Sequence, residues 1–321
     1  MSTRKFEYIN INNDKVRVIS YNILSHIQLN IFKKHQISCK KNCLLWEFRF
    51  NLLKKEIINL KPDIITLQEV DNNIFPILLK YFSTFGFIGY FNKSSQSYGN
   101  CIMFKKDKFI LLKKSSIDYN KYSKLFLKKK KLNHFLDKID RRFCSLVLKL
   151  KYKKNNKDIF VTTVHLDSNI YYEDIKNFQA YIVLKYIDKI SANHTIPIIL
   201  TGDFNCLPIS STYKGITTGI SHNYFYMEDI DYPEPFLKTP KQFTKNKLFS
   251  CYKKVFKREP TFTNYSYNFK ETTDYIFVNS KIKILGALKE INKDNLSKFK
   301  SLPNNQYQSD HFIQAADIYI K

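Results

Sequence analysis

Short apolar runs, many of them alternating with polar residues, recur along the chain and predict β-strands. The predicted strands cover residues 16–24, 63–70, 99–106, 143–152, 158–166, 196–204, 273–280 and 311–320. A helical period replaces this pattern over residues 44–60 and 174–190, where apolar residues fall on one face. These faces consist of Leu45, Phe48, Leu52 and Ile57 in the first helix and of Ile175, Phe178, Ile182 and Ile187 in the second.

Strands outnumber helices in this pattern, and several of them adjoin as hairpin-like pairs. This order favours an α/β sandwich of four layers, with two packed mixed β-sheets flanked by helices, over a doubly wound parallel sheet. Since neither a repeat nor a linker divides the chain, residues 1–321 are predicted to form a single domain. Residues 113–142 are predicted to be a charged surface loop or helix, in which Lys128–Lys131 is a solvated face.

Composition agrees with a globular protein. Of the 321 residues 44% are hydrophobic and 16% aromatic, with 7 Gly, so the chain is too apolar to be disordered and can bury a large core. Against 28 Asp and Glu there are 53 Lys and Arg, and the net charge of +25 favours a polyanion such as nucleic acid as the partner. A genome rich in A and T would also raise the Lys content, but the resulting field attracts nucleic acid either way.

Cysteine usage and the first residues predict the compartment. The six cysteines have neither the spacing of a zinc site nor the density of a disulfide scaffold, so we expect reduced thiols. They are Cys39, Cys43, Cys101, Cys144, Cys206 and Cys251. Residues 1–20 lack an apolar signal region, and no apolar run is long enough to cross a bilayer. We therefore expect a soluble cytoplasmic protein with no membrane partner, with the nucleus as the alternative.

Polar side chains with chemistry of their own stand at the ends of six predicted strands. They are Asn22, Glu69, His165, Asp203 with Asn205, Asp274, and Asp310 with His311. A single histidine after a strand is commonly structural, and a single Glu can be a helix cap. Six such ends are difficult to attribute to chance, and two sheets packed face to face would bring them into one pocket.

Such a pocket suits a hard divalent cation and phosphoester chemistry. Glu69 and Asp310, with Asn22 beside them, offer the oxygen ligands that Mg²⁺ prefers, with Mn²⁺ as a substitute. Zinc is disfavoured because Cys and His are not clustered. Asp203 and Asn205 lie two apart after a strand and would project the same way.

Each of the other polar groups then has a candidate role. Asp203 would accept the proton of an attacking water, and Asn205 would donate its amide to a phosphate. Asp274 would orient an imidazole, for which His311 is the candidate.

The ordered motifs "SYNIL", "LQEV", "TVHL", "TGDFN", "TDYIF" and "SDHF" resemble the endonuclease/exonuclease/phosphatase superfamily, the DNase-I-like fold of magnesium-dependent phosphodiesterases and phosphatases. The resemblance extends from about Val16 to Ile320. The segments "WEFRFNLLKKEI", "DIKNFQ", "DFNCLPIS" and "FTNYSYNFKETTDYIF" are similar to the catalytic domain of the carbon-catabolite-repression-type deadenylases, Angel and nocturnin. The last segment is the most specific of them.

The resemblance implies roles for individual residues. Glu69 would hold the principal magnesium, and His165 would bind the scissile phosphate. Asp203, Asn205 and His311 would surround a second metal or the phosphate. The implied function is a magnesium-dependent 3′–5′ exoribonuclease of deadenylase type that degrades RNA.

Departures from the deadenylase pattern concern the substrate. Asn169 and Ile170 stand where relatives have an Asp-Pro pair whose proline stacks a base, while the opposing aromatic is present as Phe269. We assign these three residues to substrate binding and expect relaxed base preference. Phe143 also replaces a common Asn. The chain lacks the leucine-rich repeats by which some relatives join a deadenylation complex, so that partnership is not implied.

Other functions remain open on the sequence. One is a phosphatase that acts on a terminal phosphate, such as an RNA 2′,3′-cyclic phosphate or a small phosphorylated metabolite. Another is a non-catalytic RNA-binding protein, which would have no reason to keep a costly cluster of like charges. Cleavage of DNA at abasic sites is disfavoured by the "FTNYSYNFK" segment.

Overall fold

The computed structural model describes residues 4–32, 41–94, 97–129, 144–169, 171–191, 195–222, 238–245, 247–297 and 299–321. The strands within these ranges are β1 Phe6–Tyr8, β2 Val16–Asn22, β3 Ile64–Asp71, β4 Phe87–Lys93, β5 Tyr98–Lys105, β6 Phe109–Asp118, β7 Cys144–Tyr152, β8 Lys157–His165, β9 Ile198–Asp203, β10 Phe249–Ser250, β11 Asp274–Val278, β12 Ile282–Leu288 and β13 Gln314–Ile320. The helices are α1 His26–Phe32, α2 Trp46–Asn59, α3 Phe75–Ser83, α4 Tyr119–Lys129, α5 Glu173–Ile190, α6 Ser211–Thr218 and α7 Cys251–Phe256, with short 3-10 helices at Lys41–Leu44 and Lys293–Asn295.

The strands form two mixed sheets. One has the order β1-β12-β13-β2-β3-β5-β4, and the other has the order β10-β11-β9-β8-β7-β6. Each sheet contains one parallel pair, β2 with β3 and β8 with β9, among antiparallel neighbours. Residues after these four strands therefore meet at one edge of the sandwich.

The apolar residues divide into layers that explain this arrangement. Inward-facing residues such as Val18 and Ile199 fill the space between the sheets. On the outer faces, α2 and α3 cover the first sheet and α5 and α6 cover the second. Both faces of the central strands are buried, so β2 and β3 each have one partly exposed residue and β9 has none. The predicted fold class, two packed mixed sheets flanked by helices, is confirmed.

Polar side chains join the two sheets near the edge where the parallel strands end. Gln68 Nε2 donates to Thr163 Oγ1 at 2.8 Å, and Thr201 Oγ1 donates to Thr66 Oγ1 at 2.9 Å. All four side chains are buried. These bonds fix the position of one sheet against the other where the functional residues follow.

The eight predicted strands and both predicted helices are present, with ends displaced by a few residues. The predicted face of α2 is wrong by about one residue: Leu45 is 52% exposed, while Arg49 and Leu53 are buried. The buried face of α2 was missed because it contains a charged residue, Arg49, where the helical pattern calls for an apolar one. The prediction of a loop or helix from residue 113 is also wrong as far as residue 118, because β6 pairs there with β7.

Two further predictions concern cysteines and membranes. All five cysteines in the described ranges are free thiols, as predicted, and Cys39 lies outside those ranges. Among the described helices, none combines the length and apolar character that a membrane span requires.

Candidate active site

A cleft of about 320 Å³ opens where the parallel strands of both sheets end. The predicted site residues that line it are Glu69, His165, Asp203, Asn205, Asp310 and His311. Asn22 and Asp274 lie directly behind them and bond to their side chains. The structure thus brings together all eight polar residues predicted at strand ends.

Glu69 is directed into the cleft by a β-bulge. The pairing of β3 with β5 shifts between Leu67 and Val70, so two residues of β3 oppose one of β5. Glu69 occupies the bulge with a φ of +56°, in the left-handed region that side chains rarely adopt. Its Oε2 accepts the backbone N–H of Ser25 at 3.0 Å. The bulge therefore aims the carboxylate at a point that a regular strand would not reach.

Asn22 connects two carboxylates. Its Nδ2 donates to Glu69 Oε1 at 2.9 Å and to Asp203 Oδ2 at 3.0 Å, and its Oδ1 accepts from the backbone of Leu24. The side chain is fully buried. In this arrangement Asn22 holds a carboxylate from each sheet in place, and its predicted role as a metal ligand stays a prediction.

The Asp203–Asn205 segment is a tight turn at the end of β9. Asp203 Oδ1 accepts the backbone N–H of Asn205 at 2.9 Å, and Asn205 has a φ of +49°. Burial raises the pKa of Asp203 above its ordinary value, and the charge of Asp274 adds to the shift. Gly202 allows β9 to lie close to Val164 of β8, since a Cβ at this position would lie 2.0 Å from the carbonyl oxygen of Val164.

Asp274 and His311 form an oriented pair. Nδ1 of His311 donates to Asp274 Oδ2 at 2.8 Å, and Thr263 Oγ1 donates to the same oxygen at 2.6 Å. His311 Nε2 thereby faces Asn264 Nδ2 at 2.8 Å and Asp203 Oδ2 at 3.6 Å. Burial disfavours the imidazolium, but the surrounding carboxylates outweigh this and raise the pKa of His311 well above its ordinary value. This hydrogen bond is the contact that the predicted orienting role of Asp274 requires, and the role itself stays a prediction.

His165 lies between the acidic groups. Its Nε2 is 3.7 Å from Asp203 Oδ2 and 3.9 Å from Glu69 Oε1. The ring of Tyr98 lies against it, with centroids 6.3 Å apart. A phosphate in the cleft would find this imidazole beside the carboxylates, although its role stays a prediction.

The donor set fits a divalent cation. Glu69 and Asp310 both line the cleft, and burial, with the charge of Glu69 adding to it, raises the pKa of Asp310 to about 6. A cation between the two carboxylates would relieve this repulsion. Asp203, Asp274 and His311 also have ligand atoms within 4.8 Å of one another. Because Asp274 already binds Nδ1 of His311, this trio is better explained as a hydrogen-bonded relay than as a metal cage.

Two buried cations support the site, and sequence reasoning did not single them out. Arg49 of α2 donates through Nε to Gln308 O at 2.6 Å and through Nη2 to the carbonyls of Ile23 and Leu24. It thereby joins the segment after Asn22 to the segment before Asp310. The motif "WEFRF" contained the only signal, an arginine within an apolar period.

Lys176 of α5 is the second cation. It is 3% exposed, and its Nζ donates to the carbonyl of Asn205 at 3.0 Å and lies 3.4 Å from Glu173 Oε2. Glu173 Oε1 in turn accepts Thr212 Oγ1 at 2.8 Å. This network holds the turn that carries Asn205.

The predicted substrate residues are placed differently from the catalytic ones. Asn169 and Phe269 are half-buried and do not line the cleft, and Ile170 lies outside the described residues, as does Phe143. Tyr267, two residues before Phe269, lines the cleft with 47% of its surface exposed. Apolar side chains complete the walls: Leu24, Leu29, Leu302 and Pro303. The assignments of Asn169, Ile170 and Phe269 to the substrate stay predictions.

Two face-to-face mixed sheets with acidic, amide and imidazole groups at their shared edge define a DNase-I-like α/β protein. The chain belongs to the Endonuclease/Exonuclease/phosphatase family, whose model matches residues 19–311. The resemblance seen in the motifs is thereby confirmed.

Curated relatives lie in the branch that the motifs indicated. The CCR4-Not complex 3′-5′-exoribonuclease subunit Ccr4 of Saccharomyces cerevisiae is 29% identical over 302 residues, which cover 84% of this chain and 34% of that protein. Carbon catabolite repressor protein 4 homolog 1 of Arabidopsis thaliana is 26% identical, with 94% of this chain and 56% of that protein covered. The chain thus spans between a third and somewhat over half of these relatives.

Solved structures extend the comparison over the whole chain. ANGEL2, a 2′,3′-cyclic phosphatase, in complex with adenosine-2′,3′-vanadate has a TM-score of 0.81 and 26% identity, with 99% of both chains covered. The human nocturnin catalytic domain with bound sulfate has a TM-score of 0.68 and 19% identity, covering 98% of both chains, and shows the shared fold.

Proposed function

We propose that residues 1–321 form one catalytic domain, a magnesium-dependent 3′–5′ exoribonuclease of deadenylase type. The observation that carries the proposal is the cleft floor, where Glu69, Asp203 and Asp310 face two imidazoles. The similarity to Ccr4 supports RNA as the substrate. The net charge of +25 supports the same class of partner.

The metal site would be formed by Glu69 and Asp310, with Asn22 keeping Glu69 in place. A bound Mg²⁺ would neutralise charge on the phosphoryl group and favour ionisation of a water. Burial, with the charge of Glu69 adding to it, disfavours the ionised form of Asp310, and a bound cation would offset both effects. Mn²⁺ is expected to substitute because it accepts the same oxygen ligands.

The protein groups would move the proton and hold the phosphate. Asp203 lies 3.6 Å from His311 Nε2, and its raised pKa improves it as an acceptor of the proton from the attacking water. Asp274 keeps His311 oriented, so that Nε2 is presented to the phosphate. Asn205 uses one amide hydrogen on the carbonyl of Leu166, which leaves the other for a phosphate oxygen.

A second candidate function is an RNA 2′,3′-cyclic phosphatase. It is favoured by the similarity to ANGEL2, which covers 99% of both chains, whereas the Ccr4 match covers 34% of the yeast protein. The same acid, amide and imidazole groups would serve hydrolysis of a terminal cyclic phosphate. The two functions differ only in which phosphoester the cleft accepts.

An end-labelled RNA assay tests both functions. The purified protein is incubated in Mg²⁺ with 5′-labelled poly(A) and mixed-sequence RNA, each ending in a 3′-hydroxyl or in a 2′,3′-cyclic phosphate. An exoribonuclease shortens the 3′-hydroxyl RNA progressively, and a cyclic phosphatase changes the terminal group without shortening the chain. Asp203→Asn serves as the catalytically impaired variant, and its activity should fall about 10²- to 10⁴-fold below that of the wild type. If wild-type protein changes none of the four substrates, the proposed function is wrong.

A further inference from the structure

Helix α4 presents a lysine-rich face next to the catalytic cleft. Lys121, Lys124 and Lys128 recur at three- and four-residue spacing, which places them on one side of the helix, and all three are exposed. Tyr122 and Leu125 flank them and are 39% and 60% exposed. The opposite side of the helix is anchored by two buried residues, Tyr119 and Ser123.

A chain of contacts places α4 at the same edge as the cleft. Tyr98 lines the cleft, and Asn100, two residues further along β5, donates to the carbonyl of Cys144 at 2.7 Å. Cys144 pairs with Asp118, the residue before α4. Because β7 lies between β6 and β8, the start of α4 is two strand spacings, about 10 Å, from the end of β8 at His165.

The lysines of this face have no ion pair with any carboxylate that the structure describes. No carboxylate in the described ranges lies within 4.0 Å of the amino groups of Lys121, Lys124 or Lys128. Lysines of the neighbouring strands differ, since Lys149 and Lys151 both pair with Asp158. Within the described residues, Lys121, Lys124 and Lys128 thus differ from Lys149 and Lys151 in having no carboxylate partner.

The composition of the face fits single-stranded nucleic acid. Lysine ammonium groups follow a phosphate backbone without reading sequence, and exposed aromatic rings stack on bases. Lys121 and Lys128 are about 10 Å apart along the helix axis, so the face presents its charges as a track. Of the run Lys128–Lys131, which is predicted to be a solvated face, Lys128 is exposed on the same side of α4 as Lys121 and Lys124, while Lys130 and Lys131 lie outside the described residues.

We propose that the exposed face of α4, formed by Lys121, Tyr122, Lys124, Leu125 and Lys128, binds the body of a single-stranded RNA whose end occupies the cleft. The inference rests on the proposed function, because it takes the cleft as the site of the RNA end. It adds a second binding surface outside the cleft, which makes affinity depend on RNA length.

The test compares two triple variants with the same loss of charge. One is Lys121→Gln/Lys124→Gln/Lys128→Gln. The control is Lys106→Gln/Lys153→Gln/Lys157→Gln, whose residues are exposed at the opposite end of β7, about 30 Å away by strand length. Fluorescence anisotropy in EDTA measures binding of a dinucleotide and of an RNA of about 15 nucleotides over a salt series, and circular dichroism checks folding.

The α4 variant should bind the long RNA at least about 10-fold more weakly, and its salt slope should fall by about 2 at roughly 0.7 per phosphate. Its affinity for the dinucleotide and the long-RNA affinity of the remote control should stay within about twofold of wild type. Tyr122→Ala should weaken binding of the long RNA without changing the salt slope.

Three outcomes would overturn the inference. Equal losses in both triple variants would show that only net charge matters. An α4 variant that binds long RNA like wild type would remove the surface outright. Loss of binding to phosphatidylserine vesicles with unchanged RNA binding would assign the face to a membrane. Because binding is measured without catalysis, a protein that hydrolyses no RNA but shows the length-dependent loss would refute only the proposed function.

Discussion

Replacing Arg49 tests whether one buried cation organises the metal site. Arg49 is 1% exposed and donates to three main-chain carbonyls, those of Ile23, Leu24 and Gln308. Burial lowers the pKa of the Arg49 guanidinium to about 10, while the charge of Asp310 opposes that shift. We expect Arg49→Met to lower both stability and metal affinity, because the segments that precede Asp310 and follow Asn22 lose their common support.

The magnitude follows from the groups left behind. Each buried carbonyl without a donor costs about 1–3 kcal/mol, so three of them would cost roughly 3–9 kcal/mol. Removing the buried charge returns part of this, since burying a guanidinium is itself expensive. A net loss of about 3–5 kcal/mol is therefore expected for Arg49→Met. Arg49→Lys keeps the charge but not the planar fork, and about 1–3 kcal/mol is expected there.

Urea unfolding gives the free energy, and a Mn²⁺ titration followed by electron paramagnetic resonance gives metal affinity per folded molecule. Arg17→Met is the matched control, because Arg17 is paired with buried Asp317 at the other end of β2. It should lower stability while leaving Mn²⁺ affinity within about twofold of wild type. If Arg49→Met weakened Mn²⁺ binding no more than Arg17→Met, the coupling of the two segments through Arg49 would be refuted.

Three further predictions concern single features of the site. Gly202→Ala should abolish cooperative folding or lower the melting temperature sharply, because the new Cβ would lie 2.0 Å from a carbonyl oxygen. Gly86 has a φ of +79° and nothing within 4 Å of a Cβ, so Gly86→Ala should lower the free energy of unfolding by only about 1–2 kcal/mol. Thermal melts that rank the two variants equally would contradict this prediction. Asp274→Asn should lower kcat about 10- to 100-fold at unchanged fold by releasing His311, and a wild-type kcat would exclude the orienting role. Burial raises the pKa of Asp310 from 3.8 to about 6, so the folded state holds a proton that the unfolded state has released between these values. Metal-free stability should therefore fall as pH rises through this window, Asp310→Asn should flatten the dependence, and urea unfolding at several pH values is the measurement.

The fold was largely predictable because its central strands are buried on both faces. Short apolar runs such as Ile64–Ile65 in β3 and Ile198–Leu200 in β9 predict strands, and all the predicted strands are present. The edge strands were missed for the opposite reason. Only Phe109 and Ile117 of the ten residues of β6 are buried, so its pairing with β7 leaves no clear alternation in the sequence.

The site was predictable only where its residues end a strand. Glu69 and Asp203 could be found from their position, but the bulge that turns Glu69 inward depends on a register shift against β5, which no local pattern records. Phe269 was chosen by resemblance and stays a prediction, while Tyr267, in the same segment without periodic structure, lines the cleft. Which ring faces a cleft is set by tertiary packing and not by spacing.

Arg49 and Lys176 each bind a strained backbone segment that lines the cleft. Leu24, Glu69 and Asn205 are three of the six non-glycine residues with left-handed φ in the described ranges, and all three line the cleft. Each such residue costs about 1–3 kcal/mol and persists only where its surroundings enforce it. Arg49 binds the carbonyl of Leu24, and Lys176 binds the carbonyl of Asn205. These two buried cations thus stabilise backbone conformations that the local sequence disfavours. In the sequence alone, each of them appears only as a charged residue within a helix.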